Sequence, residues 1–454
     1  MRIAIVGTGI SGLTCARLLD RAHDLTLYEA EDWIGGHTHT VDIVHEGRSL
    51  AVDTGFIVFN TRNYPGFDAL MRQMGVESRE TKMSFGVRDD ASGLEYGGEN
   101  LASLFAQKRN LLSPKFYRML RAILRFNREA PRDVLESGEF RNATLGEYLD
   151  AKHARGEGFD RLMIERFLIP MTAAVWSSPL ERSREMPAGF FVRFFLNHGM
   201  LQIKDRPRWR TISGGSREYV RRLSRDLRAA VRPSTPVQTI RRTEGAVEIR
   251  AAGATESFDR VIIACHSDQA LRLLDDPTRA EREILGAILY QANDVILHTD
   301  RSILPKRKAA WSAWNFLLTT PDEPLPIATY NMTTLQGLPT RDPVLVSLNA
   351  GDRIDPRAIL GRWTYHHPAY TTQTLDAQRR WHEISAGRTH YCGAYWAYGF
   401  HEDGVQSALR VCAQLGAGLD GPIDPRAFST DRLPEQPLPT VAALAGGASA
   451  HDLA

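Results

Sequence analysis

The chain has 454 residues, 43% of them apolar and 24% charged, with a formal net charge of +2. This is globular composition rather than disordered or fibrous, the length suits two or three domains, and the near-neutral balance gives no nucleic-acid footprint. No apolar run approaches the roughly 20 residues of a membrane span, the glycine-punctuated N-terminus does not read as a secretory signal, and Cys15, Cys265, Cys392 and Cys412 form no CxxC pair, so a cytoplasmic protein without a metal site is expected.

The first 36 residues organise the rest. An apolar run, 3–6, breaks into Gly7-Thr8-Gly9-Ile10-Ser11-Gly12; a helical pattern follows on Leu13, Ala16, Leu18 and Leu19, and a second run, 25–28, ends at Glu29. Strand, glycine turn, helix, strand and carboxylate form the fingerprint of a dinucleotide site. Gly7 permits the tight turn, Gly9 lets backbone approach a pyrophosphate, and Gly12 lets the helix pack on the strand. Ile10 and Ser11 open the helix, whose free N–H groups and positive dipole end suit phosphate. Glu29, followed by Ala30, is placed to accept from ribose hydroxyls.

The next stretch, Glu29-Ala30-Glu31-Asp32-Trp33-Ile34-Gly35-Gly36-His37-Thr38, resembles the second glycine signature of flavoproteins related to amine oxidases, carotenoid desaturases and protoporphyrinogen oxidase. The resemblance implies that Gly35, Gly36, His37 and Thr38 run beside an FAD pyrophosphate. His37 stands where those families usually carry Arg, and a neutral His donates one hydrogen bond where Arg offers five. Read alone, Gly35-Gly36 is equally an ordinary turn. The run GGHTHTV is similar to one bacterial branch of that superfamily, often found next to cyclopropane-fatty-acid synthases.

Further along, 40–44 and 50–52 read as a hairpin leading to Gly55, which the resemblance carries past the flavin ring; a plain strand-end glycine fits the spacing as well. Residues 66–205 read as mostly helical. Within them, 114–127 is a basic amphipathic helix, with Phe116, Met119, Leu120, Ile123 and Leu124 on one face and Lys115, Arg118, Arg121 and Arg125 on the other. It suits either an anionic lipid surface or a protein core with a solvated basic face. Phe190, Phe191, Phe194 and Phe195 suit a hydrocarbon pocket or core equally.

After Trp209 a helix is expected over 219–230 and strands over 236–241, 247–251 and 259–264. This order resembles the middle FAD segment of the same families, and Pro236-Val237-Gln238-Thr239-Ile240 matches a motif whose valine, here Val237, meets adenine. The run 258–266 reads as the last parallel strand. Cys265-His266 is not a nucleophile pair and His366-His367 not a metal pair, because neighbours in extended chain diverge. Strand runs at 294–297, 327–330 and 344–348 read as the sheet of the substrate domain, which the resemblance implies covers the flavin. Finally 389–408 resembles the segment that closes the FAD site: Gly393 at the ribityl-phosphate region, then a helix starting at Gly404 and Val405 whose dipole faces the flavin pyrimidine ring. The acidic residue usual after that first glycine is missing; Ala394 follows Gly393.

The expected fold is α/β: a Rossmann-like FAD-binding domain from 1–65, 206–285 and 385–432, an inserted α+β substrate domain from 66–205 and 286–384, and a disordered tail over 433–454. The expected protein is an FAD-dependent oxidoreductase holding FAD non-covalently, with no identifiable catalytic residue. By resemblance, and by its aromatic and basic surfaces, its substrate is a lipid acyl chain. Peripheral contact with the inner membrane and a fatty-acid-modifying partner enzyme go with that reading. Two alternatives stay open: an oxidase of small amines, although the Lys those enzymes commonly place near flavin N5 is not seen, and a non-catalytic flavin-binding lipid accessory protein.

Overall fold

The strands Arg2–Val6 and Asp24–Tyr28 pair in parallel, Ile3 against Leu25 and Val6 against Tyr28. The computed structural model describes residues 1–202, 204–319 and 327–419. On its other side Arg2–Val6 pairs in parallel with Arg260–Ile263, which pairs in turn with Thr389–Tyr391, while Ala230–Arg232 borders Asp24–Tyr28. All five strands run parallel, and their residues are correspondingly apolar without alternation: Ile3, Ala4, Ile5, Val261, Ile262 and Ile263 are fully buried. The helices Ile10–Leu19 and His401–Gln414 pack together, the Ser11 hydroxyl donating to the Gly404 carbonyl at 3.0 Å. A three-stranded antiparallel sheet, Val237–Arg242, Val247–Ala251 and Ala254–Phe258, contributes Ile240, Ile249 and Phe258 to the same core.

A mixed seven-stranded sheet forms the second layer system, in the order Ile359–Pro368, Tyr290–His298, Leu345–Leu348, Ile327–Asn331, Trp314–Leu318, Phe85–Asp89, Leu94–Gly97. Every pairing is antiparallel except Trp314–Leu318 with Phe85–Asp89. Helices such as Pro114–Ala130, Leu145–Ala154 and Ala188–Asn197 cover it, with Val87 and Phe316 of the sheet in one core with Phe116, Phe126 and Phe191. Among the described residues no helix is long and apolar enough to cross a membrane.

Several expectations need correction. The stretch 66–205 holds three strands, Ser78–Thr81, Phe85–Asp89 and Leu94–Gly97; each is four or five residues long, and the first two pair with segments distant in sequence, so no local periodicity marked them. The helix expected over 219–230 is Arg217–Ser224. It stops because Asp226 takes a left-handed conformation, φ +60°, and the Asp20 carboxylate accepts the N–H groups of Arg228 and Ala229, aiming Ala230–Arg232 into the parallel sheet. The strand at 260–263 is interior rather than last. The basic helix lays Phe116, Met119 and Phe126 in the core, so most of its apolar face belongs to the protein; Leu124, expected on that face, is exposed instead, and Arg125, expected on the basic face, donates to the Glu157 and Gly158 carbonyls. The expected tail over 433–454 lies outside the described residues.

Candidate functional site

A cavity of about 840 Å³ runs between the parallel sheet and the seven-stranded sheet. Its wall begins at the glycine turn. Gly7 has φ +101°, and a Cβ on Gly12 would sit 2.0 Å from the Gly7 carbonyl oxygen, so helix and turn are in backbone contact there. Gly9 differs: no protein atom lies within 4 Å of where its Cβ would be, and with Ile10 and Ser11 it faces the cavity. Gly9 is the N-cap of a ten-residue helix and no side chain caps it, which leaves its first N–H groups for an anion.

Glu29 is 8% exposed and lines the same cavity. One of its oxygens accepts the Thr8 N–H and hydroxyl, the other the Glu31 N–H at 3.1 Å. A carboxylate has about four acceptor positions, so one is left. The N–H groups of Ser234 and Thr235 donate to the Glu31 and Glu29 carbonyls at 2.8 and 2.7 Å, tying Pro236 and Val237 beside the acid; Ala30 and Val237 complete this part of the wall.

Opposite the turn stand Gly35 and Gly36, at φ +124° and +58°. A Cβ on Gly36 would be 3.1 Å from the Gly9 Cα, so the two glycine segments converge where the sequence requires a pyrophosphate. His37 lines the cavity and its Nε2 is buried without a partner. Burial holds its pKa at about 4, hence the ring is neutral. Its neighbours come from distant segments: His266 at 5.6 Å, His367 at 5.5 Å and Tyr365 at 5.3 Å between ring centroids. Cys265 and His266 both line the cavity instead of diverging, because the strand ends at Ile263 and the chain turns there. Burial pushes the Cys265 thiol up to about 12, which disfavours a thiolate.

Four of the residues expected at the cofactor are placed elsewhere. Gly12 sits behind the turn, as its packing role requires. Thr38 is 2% exposed and hydrogen-bonded to the Tyr219 hydroxyl and, at 3.0 Å, to His401 Nε2; it braces the wall from behind. The closing helix starts at His401, not Gly404, because Asp403 caps it by accepting the Phe400 N–H at 2.8 Å. Gly404 therefore lies inside the helix, where a Cβ would meet Ile10 Cγ2 at 2.6 Å, and Val405 is fully buried. Phe400 and His401 are the wall residues there. Gly55 and Gly393 do line the cavity, and a side chain at Gly55 would also meet the His37 carbonyl oxygen, 2.1 Å from its Cβ position.

Beyond His37 the wall becomes aromatic. His401 stacks on Phe56 at 3.5 Å, Phe400 on Phe194 at 5.0 Å, and His198 on Phe194 at 3.9 Å; Trp176 and Trp209 join this lobe. Of the four clustered phenylalanines all are buried, yet Phe194 alone reaches the cavity, so the cluster is chiefly core. His198 and Trp209 were not anticipated, and no local pattern marks a lone His after a helix as a site residue.

The residues present fit FAD. A glycine turn opening a helix, a buried carboxylate at the second strand end, and a second glycine pair converging on the first supply donors and acceptors for a diphosphate and a ribose. The unpartnered buried hydroxyls of Tyr395 and Tyr398 and the His37 Nε2 add polar groups on the wall that the protein does not satisfy.

A family model for flavin-containing amine oxidoreductases matches residues 10–363. Among solved structures, the chain is similar to a CLA-producing fatty acid isomerase from P. acnes, at 16% identity over 90% of this chain and 96% of that one, with a TM-score of 0.62. It is also similar to cyclohexylamine oxidase from Brevibacterium oxydans IH-35A, at 15% identity over 91% and 99% with a TM-score of 0.62, and to putrescine oxidase, at 16% over 91% and 99% with a TM-score of 0.60. At such identities the likeness is one of fold. Comparison with the curated proteins finds no match. The chain belongs to the flavin-containing amine oxidoreductase family, and is an FAD-dependent oxidoreductase with the amine oxidase-like fold.

Proposed function

We propose that this enzyme oxidises a lipid acyl chain, by desaturation or a related oxidation, in the bacterial branch of the family that the GGHTHTV run resembles. The observation that carries the reading is the aromatic lobe. Trp176, Phe194, Phe400, Val175 and Met200 wall it, and among the described lining residues the only carboxylates are Glu29 and Glu31, beside Val237. An ammonium entering this lobe would be desolvated without a counter-ion, which is costly; a hydrocarbon would not.

FAD, when bound, supplies the acceptor for the electron pair withdrawn from the substrate. The chain's own groups then orient the substrate and exclude water. His198 is suited to orientation: its Nδ1 lies 2.9 Å from the Phe194 carbonyl oxygen, which fixes the proton on Nδ1 and leaves Nε2 as an acceptor. Burial keeps the ring neutral, with a pKa of about 4, so Nε2 can accept from a hydroxyl or a protonated carboxyl group of a lipid. No lysine is among the described lining residues. A fatty-acid-modifying enzyme that supplies or consumes the acyl chain is the partner this chemistry calls for.

Anaerobic titration of the holoenzyme tests the reading. Phospholipids and free fatty acids should bleach the flavin absorbance, whereas putrescine and cyclohexylamine should not. Bleaching by the amines and not by the lipids would overturn it in favour of an amine oxidase, whose substrate cation would then rest on the aromatic rings.

A further inference from the structure

Between Asn100 and Glu129 the chain carries seven Lys and Arg and no Asp or Glu. The stretch folds as Leu101–Leu104, Lys108–Leu112 and the long helix Pro114–Ala130. The inner face of the long helix is core, but the outer surface is not an ordinary solvated face. Leu112 is 88% exposed, Leu101 68%, and Leu111 and Leu124 48% each, although leucine is among the residues most often buried.

The apolar and cationic groups share one patch. Leu111, Leu112, Pro114 and Tyr117 line a shallow groove together with Arg118 and Arg121, and the Tyr117 hydroxyl donates to the Leu111 carbonyl at 3.2 Å, holding the short helix against the long one. Lys108, Arg109 and Lys115 are exposed on the same segment. Arg118 has Asp160 at 3.7 Å; among the described residues no carboxylate forms an ion pair with Lys108, Arg109, Lys115 or Arg121. A solvated helix would intersperse both signs of charge. Here exposed leucines stand at a helix junction, and among the described residues the cations beside them, Arg118 apart, have no carboxylate partner; Arg109 donates to the Gly93 carbonyl. That is the arrangement of a segment whose apolar tips enter the acyl region of a bilayer while long basic side chains reach back to the phosphates.

We propose that the 111–124 patch docks the protein on an anionic lipid surface, with Leu111 and Leu112 inserted and Lys115, Arg118 and Arg121 on the headgroup phosphates. Docking is independent of the substrate: an enzyme with a soluble substrate can have it, and one that oxidises acyl chains can lack it.

Sedimentation of the FAD-loaded full chain with vesicles reads the docking directly. Wild type should bind mixed phosphatidylcholine–phosphatidylglycerol vesicles, bind pure phosphatidylcholine much less, and lose binding as salt rises. Leu111→Ser with Leu112→Ser should weaken binding to the mixed vesicles about tenfold or more. Arg118→Gln with Arg121→Gln should weaken it about thirtyfold, at roughly fivefold per cation. Arg241→Gln with Arg250→Gln, which removes the same charge from the remote antiparallel sheet, should leave it within about twofold. All four residues of the first two variants are exposed, and retained flavin absorbance confirms folding. Binding that is absent at low salt, equal on the two kinds of vesicle, or equally weakened by the remote pair would overturn the proposal.

Discussion

Thr8 donates its backbone N–H, at 3.0 Å, and its hydroxyl to the same carboxylate oxygen of Glu29, and the hydroxyl also accepts the Gly35 N–H at 3.3 Å. The middle residue of the first glycine turn thus fixes both the acid at the second strand end and the second glycine pair. Three segments that the sequence presents separately are one unit. Thr8→Val keeps the β-branched shape and removes the hydroxyl, so Glu29 loses a donor and the Gly35 N–H an acceptor, each change worth about 1–3 kcal/mol at a buried site. FAD affinity should fall about tenfold or more with the circular dichroism unchanged, and Glu29→Ala should fall further. Flavin retention after extended dialysis measures both. Wild-type retention in Thr8→Val would remove Thr8 as a positioning residue; wild-type retention in Glu29→Ala would remove the ribose assignment.

Gly9 and Gly12 belong to one motif but should fail differently. At Gly12 a methyl would lie 2.0 Å from the Gly7 carbonyl oxygen, so Gly12→Ala should force the helix off the strand and cost about 3 kcal/mol or more. At Gly9 the backbone is already in a conformation open to alanine, φ −63°, and the added methyl meets only the cavity. Gly9→Ala apoprotein should unfold within about 0.5 kcal/mol of wild type yet bind FAD weakly. Calorimetry of the two apoproteins and a flavin-fluorescence titration separate the cases; full FAD affinity in Gly9→Ala would mean that no phosphate approaches this backbone.

The contrast between these segments also explains what could be read in advance. Residues 1–36 were legible because turn, helix and carboxylate are consecutive and each has a local steric or electrostatic requirement. The strand Ala230–Arg232 was not, because Leu227-Arg228-Ala229-Ala230 has good helix formers and only the distant Asp20 carboxylate and the Asp24–Tyr28 edge turn it into sheet. The same holds within the site. Glu29 and Val237 lie in recognisable motifs and do meet the cavity, whereas the rings around His37 come from His266, Tyr365 and His367, whose proximity is created by two sheets meeting. The helix start expected at Gly404 rests on the resemblance of 389–408 to a known segment; the cap four residues earlier, at Phe400, whose N–H the Asp403 carboxylate accepts, is what sets the boundary.

The seven-stranded sheet that roofs the cavity should be sensitive to acid through His298. This residue ends the strand Tyr290–His298, whose other end, Tyr290, lines the cavity. Its side chain is fully buried. The Asp300 N–H donates to Nδ1 at 3.1 Å, so the proton resides on Nε2, which lies 2.8 Å from the Ser347 hydroxyl. A second proton would have to displace the Asp300 donor in a site that burial makes hostile to charge, and the pKa falls to about 4, the Asp300 carboxylate only partly opposing this. In the unfolded chain the same ring takes up a proton near pH 6.5. Between those values the unfolded state binds more protons than the folded one, so stability is fully present above about pH 6.5 and is lost as pH falls toward about 4. For this one group the loss is at most roughly 3 kcal/mol. His37, His198, His266 and His367 are shifted down by burial as well and steepen the same slope. Denaturant unfolding of the apoprotein at about pH 7.5, 6 and 5 should show stability declining throughout for wild type. His298→Gln, which can still donate to Ser347 but cannot take up a proton, should be less stable at the highest pH and decline less steeply, so that the two curves approach each other near pH 5. Parallel curves would mean that His298 is not one of the groups that titrate on unfolding.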